Sequence, residues 1–279
     1  MKDAASLTAL GAAGHRAAHQ VLEQGRIFFD PLALRILGSE AEEALIEAER
    51  EPRKRGLRLF IAVRTRFAED ALAAAVARGV RQLVVLGAGL DTYAYRNSGP
   101  HRLRVFEVDH PATQAWKREQ LAKAAIEVPA ALTFAPVDFE RDTLADGLAA
   151  AGFDPAQQTF FTWLGVTPYL TESAVFATLG FIARLPAGAH VVFDYSNPPD
   201  SIIGAERRAF HEALATRVAA VGETFKSYFD TEALILRLND LGFSDIEDLG
   251  PAEIAARYFP NHANRTGGGG GHVIRAATR

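Results

Sequence analysis

Apolar positions in the first 80 residues recur at intervals of three and four, the period of helices that bury one face. Breaks at Gly25, Asp30-Pro31, Gly38 and Glu51-Pro52 divide the stretch into helices expected over Ala4–Gln24, Pro31–Leu37, Ala41–Glu49 and Leu57–Arg78. From Arg81 the pattern changes. Short apolar runs at Gln82–Leu86, Arg104–Val108, Leu132–Pro136, Gln158–Leu164 and His190–Tyr195 read as strands. They alternate with helical stretches at Asp91–Arg96, Ala112–Ala125, Thr143–Ala151 and Glu172–Leu185. Such alternation marks βαβ units, an α/β fold with a mostly parallel sheet and helices on both faces. Residues 198–228 interrupt it with an amphipathic helix expected over Ala205–Val221. A helix (Thr231–Leu241), a strand (Asp245–Leu249), a short helix (Glu253–Tyr258) and a last strand (His272–Ala276) close the chain, the last preceded by the glycine loop Gly267–Gly271. One domain is expected: a helical cap over 1–80, a ligand-binding core over 81–197, a lid insertion over 198–228, and the rest of the sheet over 229–279.

The first strand runs into Gly87-Ala88-Gly89-Leu90-Asp91-Thr92, and the second ends in Glu107-Val108-Asp109, with Asp109 20 residues after Gly89. Glycines allow a ligand to approach the backbone, and an acid at the tip of the next strand accepts hydrogen bonds from a ribose diol. The ligand is not a dinucleotide. The third glycine of that fingerprint is replaced by Thr92, and Asp91 occupies the helix start where a pyrophosphate would sit. A carboxylate there suits a cofactor that is cationic at that end, such as the ammonium or sulfonium of S-adenosylmethionine. Asp is also a preferred helix N-cap, and Asp91 can do both. Short-chain hydride transfer is excluded, because none of the six tyrosines is followed by a lysine four positions on.

Composition narrows the class further. The 279 residues carry a formal charge of −4, which argues against a nucleic-acid partner, and the absence of cysteine excludes disulfides and thiolate chemistry. No signal peptide and no apolar run of about 18 residues is seen, so neither a membrane partner nor export is expected and a cytoplasmic protein is. No metal site is expected. His15 and His19 share one helix face but lack a ligand cluster, and read as a solvated or lid-lining pair. Asp138, in Val137-Asp138-Phe139 just past the third strand, can accept from an adenine amino group while Phe139 stacks on the base. Arg64 precedes the first strand on a long helix and can clamp a carboxylate in bidentate fashion, whereas Arg66 reads as a surface residue. Trp163 and Tyr169 flank the fourth strand as pocket walls or core. Phe210, His211, Phe225, Tyr228 and Tyr195 are candidate acceptor-lining residues; His211 and Tyr195 are weak candidates for a base, and no residue is assigned as catalytic. Arg207-Arg208 reads as a solvated face. No nucleophile elbow or Walker loop is present.

Taken together, Gly87 to Thr92 with Ala94-Tyr95-Arg96, Glu107-Val108-Asp109-His110-Pro111, Val137-Asp138-Phe139, and Gly165-Val166-Thr167 with Tyr169-Leu170 resemble the leucine carboxyl methyltransferase family. The match is to its bacterial branch, which includes polyketide O-methyltransferases. It runs from about Arg16 to about Leu249 and takes in Asp30-Pro31-Leu32-Ala33 and Leu241-Gly242-Phe243. The resemblance implies a class I methyltransferase with a Rossmann-like, seven-stranded sheet, one antiparallel strand, an N-terminal helical cap and a helical lid. It implies S-adenosylmethionine as cofactor, S-adenosylhomocysteine as product, and O-methylation of a carboxylate or hydroxyl on a small or polyketide-like acceptor. By position, Arg64 would grip the methionine carboxylate, Gly87 and Gly89 border the methionine moiety, Asp109 hold the ribose, and Asp138 with Phe139 contact adenine. Two departures stand out: Leu164 replaces a glutamate that approaches the cofactor's amino group, and Tyr93 replaces a common arginine. The loss at 164 supports a competing reading, a sensor that binds the cofactor without turnover.

Overall fold

The computed structural model describes residues 7–96, 103–138, 141–202, 204–205, 208–209, 212–213, 215–216, 224–260 and 270–278. Among the described residues four α-helices come first: α1 (Leu7–Leu22), α2 (Ala33–Leu37), α3 (Glu40–Arg50) and α4 (Arg55–Ala77). They are followed by β1 (Gln82–Leu86), α5 (Tyr93–Arg96), β2 (Arg104–Asp109), α6 (Pro111–Lys123), β3 (Leu132–Pro136), α7 (Leu144–Ala150), β4 (Thr159–Trp163), α8 (Glu172–Ala183) and β5 (Ala189–Ser196). After the insertion come the helix Thr231–Leu241, β6 (Ser244–Leu249), the helix Pro251–Tyr258 and β7 (Gly271–Ala277). Within the expected helix 205–221, the described residues Ala205, Arg208, Ala209, Glu212, Ala213, Ala215 and Thr216 are helical.

The strands lie in the order β3-β2-β1-β4-β5-β7-β6, all parallel except β7, which runs antiparallel to both neighbours. This is the class I methyltransferase sheet. Every residue of β1 is buried, as expected of a parallel strand covered on both faces. One face carries Phe106, Phe161, Trp163 and Phe193 against α8 and the helix Thr231–Leu241. The other carries Leu83, Val85, Val105 and Phe160 against α4. Strand order reverses between β1 and β4, and that switch point opens a crevice at the carboxyl ends of the strands.

The cap is joined to this crevice by a shared core. Leu90 of the glycine turn packs with Ala13, Ala17, Leu32 and Ile36 of the cap helices. Polar contacts reinforce it. Asp30, 2% exposed, accepts from Arg16 Nε at 3.0 Å, Thr92 Oγ1 at 2.7 Å and the Leu32 N–H at 2.9 Å. Arg16 also donates to the Leu90 carbonyl at 2.6 Å. No helix among the described residues is long and apolar enough to cross a membrane.

Candidate functional site

Parallel pairing of Leu86 with Val108 brings the end of β1 beside the end of β2. The Gly87 and Ala88 N–H groups both donate to the Val108 carbonyl, at 2.8 and 3.1 Å, so the chain turns sharply there. Gly87 (φ 65°) and Gly89 (φ 41°) adopt left-handed backbone that side-chain-bearing residues avoid. Space is equally limiting. A Cβ on Gly87 would lie 2.3 Å from Val166 Cγ2, and one on Gly89 3.0 Å from Ala9 Cβ of α1. The turn is therefore clasped between the loop after β4 and the first cap helix.

Asp109 meets this turn. Its Oδ2 accepts the Gly89 N–H at 2.5 Å and its Oδ1 the His110 N–H at 2.7 Å. Burial nonetheless raises its pKa, outweighing the two N–H donors that favour the carboxylate. Asp91 Oδ1 accepts the Tyr93 N–H at 2.8 Å and so opens α5. Asp91 also lines a small cleft with Thr65 and Glu69 of α4 and with Leu164. A groove of about 300 Å³ beside Phe160, His190 and Arg275 opens at the opposite, amino edge of the sheet.

Arg64 approaches from α4, whose amino half overhangs the carboxyl edge. It is 9% exposed, its Nη1 donates to Asp194 Oδ2 of β5 at 2.7 Å, and its Nε has no hydrogen-bond partner among the described residues. Asp194 Oδ1 in turn accepts the Gly165 N–H at 2.5 Å. Gly165 has φ 74°, and a Cβ there would stand 2.7 Å from Arg64 Nη2. Leu164 packs at the edge of the α4-side core. Asp194 was not anticipated from the sequence; its signal was a single charge inside the apolar run Val191-Val192-Phe193-Asp194-Tyr195.

Asp138 lies past β3 with its Oδ2 4.0 Å from His110 Nε2 and 3.6 Å from Arg141 Nε, so it shares the carboxyl edge with Asp109. Phe139, Arg207, Phe210 and His211 lie outside the described residues. Tyr195 does not line the crevice. It is 2% exposed, and its hydroxyl is held by Thr231 Oγ1, Asp248 Oδ1 and His272 Nδ1 at 3.0, 2.9 and 3.2 Å. Burial raises its pKa, so it is a poor base. Trp163 is core, fully buried among the face that carries Phe193. Tyr169 pairs with Phe225 at 5.4 Å, and Lys226 N–H donates to the Pro168 carbonyl at 2.6 Å, which seats the end of the insertion on the loop after β4. Arg208 donates to the Ile202 carbonyl at 3.0 Å.

Of the histidine pair, His15 is half-buried and His19 is withdrawn from solvent. His19 is fully buried, 3.3 Å from Glu23, which also holds Arg58 through two bonds of 2.8 Å. Burial, with Arg58 and Lys54 nearby, lowers His15 to about 4. Beneath the turn, Glu107 is fully buried and pairs with Lys117 at 2.7 Å and with the Tyr95 hydroxyl at 3.1 Å.

The donor set fits S-adenosyl-L-methionine. Arg64 stands against Gly165, the turn at Gly87 and Gly89 excludes side chains, and two carboxylates stand at the tips of successive strands. A sequence model of the leucine carboxyl methyltransferase family matches residues 9–183. The protein named "Putative S-adenosyl-L-methionine-dependent methyltransferase YktD" from Bacillus subtilis (strain 168) is 35% identical over 201 residues, covering 71% of this chain and 65% of its own length. FRAAL3718 from Frankia alni, given the same description, is 39% identical over 186 residues, 64% of each chain. The matched region thus spans just under two thirds of these relatives. Among solved structures, a DUF574 family protein from Streptomyces avermitilis superposes with a TM-score of 0.54 at 15% identity, covering 95% of this chain and 97% of its own. A chain from Bordetella parapertussis gives 0.50 at 15%, covering 97% and 96%. At such identity the likeness is one of fold alone. The chain belongs to the leucine carboxyl methyltransferase family, a family of S-adenosyl-L-methionine-dependent methyltransferases.

Proposed function

We propose that the protein is an S-adenosyl-L-methionine-dependent O-methyltransferase acting on a carboxylate or hydroxyl of a small organic or polyketide-like molecule. The observation that carries this reading is the contact of 2.5 Å between Asp109 and the Gly89 N–H, which sets a carboxylate against a glycine turn with Arg64 on the neighbouring helix. The cofactor supplies a methyl group on a sulfonium, transferred by in-line displacement. Asp109 receives the ribose hydroxyls, Asp138 the adenine edge with Phe139, and Arg64 the methionine carboxylate. Asp91 supplies negative charge on the side of the sulfonium, while Gly87 and Gly89 let the methionine chain lie against backbone. Leu164 covers its apolar part.

What remains for the protein is alignment and exclusion of water. The cap closes from one side, with Ala9 over Gly89, and the segment after the insertion closes over the loop that follows β4. A carboxylate acceptor is ionised at neutral pH and needs no base; a phenol, of pKa about 10, would draw on one, for which His211 is the candidate.

Calorimetric titration with S-adenosyl-L-methionine and S-adenosylhomocysteine, followed by mass-spectrometric detection of product from a panel of aromatic carboxylates and phenols, tests the reading. Binding with product supports it. Binding without product from any acceptor favours the sensor, and no binding to either ligand removes both.

A further inference from the structure

Leu164 stands where the family carries an acid for the cofactor's amino group, yet a buried carboxylate is present beside it on the next strand. Asp194 is 4% exposed, reaches the Gly165 N–H at 2.5 Å and lies 2.7 Å from the guanidinium of Arg64. Its backbone carbonyl also accepts from the Thr167 hydroxyl, which fixes β5 to the loop after β4. An amino-acid head group is a zwitterion, with ammonium and carboxylate on one carbon. Its complement is a cation and an anion side by side, and Arg64 with Asp194 is such a pair. We propose that Asp194 binds the α-ammonium of S-adenosyl-L-methionine, supplying from β5 the negative charge that Leu164 removes from the end of β4.

The proposal rests on the reading of Arg64 as the carboxylate partner. Arg64 spends only Nη1 on Asp194, so the carboxylate of the ligand can join the guanidinium without displacing Asp194. Each Asp194 oxygen accepts one hydrogen bond and retains capacity for another. Asp91, whose Oδ1 accepts the Tyr93 N–H, is the rival anchor, and its replacement by asparagine separates the two.

The test is calorimetry of the full chain with S-adenosylhomocysteine and with its analogue lacking the α-amino group. In the parent, loss of the ammonium is expected to weaken binding about 20-fold, the size of a hydrogen bond between charged groups. Asp194→Asn should bind S-adenosylhomocysteine about 20-fold more weakly while binding the deaminated analogue as the parent does. Adding Leu164→Glu to Asp194→Asn should restore the preference. Equal affinity of the parent for the two ligands overturns the proposal, and needs no variant to fold. So does an Asp194→Asn protein that keeps the preference, one that loses both ligands equally, or an Asp91→Asn protein in which the preference vanishes. Arg64→Ala tests the carboxylate reading by itself: undiminished affinity there refutes that assignment and leaves the ammonium comparison standing.

Discussion

Replacement of Asp30 by alanine removes the strut between the cap and the glycine turn. The carboxyl group is almost fully buried, and its loss leaves Arg16, itself 8% exposed, without its counter-charge. It also leaves the Thr92 hydroxyl and the Leu32 N–H without the acceptor they now use. Breaking one side of a buried ion pair costs about 3–5 kcal/mol, and a neutral hydrogen bond lost in the interior adds about 1 kcal/mol. Water entering the space recovers part of this, and Arg96, whose Nε also lies 3.4 Å from Asp30, keeps Glu69 as its counter-charge, so about 4 kcal/mol is expected. In a chain of this size that lowers the thermal midpoint by roughly 10 °C. Circular dichroism melts of Asp30→Ala and of the double variant Arg16→Met/Asp30→Leu measure it. The double variant should be the more stable of the two, because neither member leaves a buried charge alone. A midpoint drop under about 3 °C, or a double variant no better than the single, would refute the claim that this ion pair ties cap to turn.

Three further outcomes are expected. Gly87→Ala forces a side chain into left-handed backbone 2.3 Å from Val166, so affinity for S-adenosylhomocysteine should fall more than tenfold with the far-ultraviolet spectrum intact, and Val166→Ala should recover part of it. Asp109→Ala should weaken the same ligand by roughly 10–100-fold in calorimetry, the loss of a charge-assisted bond to the ribose; affinity equal to the parent's removes the ribose assignment. Burial pushes Glu107 up to about 7 from its usual 4.5, so its contribution to stability is fully present below about pH 4.5 and is lost as pH rises toward 7. Urea midpoints measured across that window should fall less steeply with pH in Glu107→Gln, by an amount on the order of 3 kcal/mol, and an unchanged slope contradicts the assignment.

What could be read ahead of the structure was local. Gln82–Leu86 and Thr231–Leu241 have the expected bounds because a doubly covered strand and an Asp-capped helix each announce their own ends, and the edge strand Leu132–Pro136 has them too. The contact between Asp109 and Gly89 is of the same kind. Once two parallel strands are adjacent, the acid at the tip of the second has one turn within reach. The burial of His19, four residues after the half-buried His15, was not readable. Their i, i+4 spacing gives a common face but not the neighbour, and the neighbour is α4 with Arg58, 35 residues beyond Glu23. The pairing of Arg64 with Asp194 spans 130 residues and depends on β5 lying next to β4, a matter of strand order that no local pattern carries.

β5 shows how narrow the margin is. Adjacent residues of a strand point to opposite faces, so of Asp194 and Tyr195 only one can look toward α4. An aromatic at a strand end invites a pocket reading, and Tyr195 received it from the sequence; pairing with β7 turns it instead toward His272 and the interior. The register that withdraws the phenol presents Asp194 to Arg64, on the same face as Val192 and the α4-side core. A one-residue error of face thus hid a carboxylate that pairs with Arg64. The overlooked carboxylate and the misplaced tyrosine have one cause, the alternation of β5.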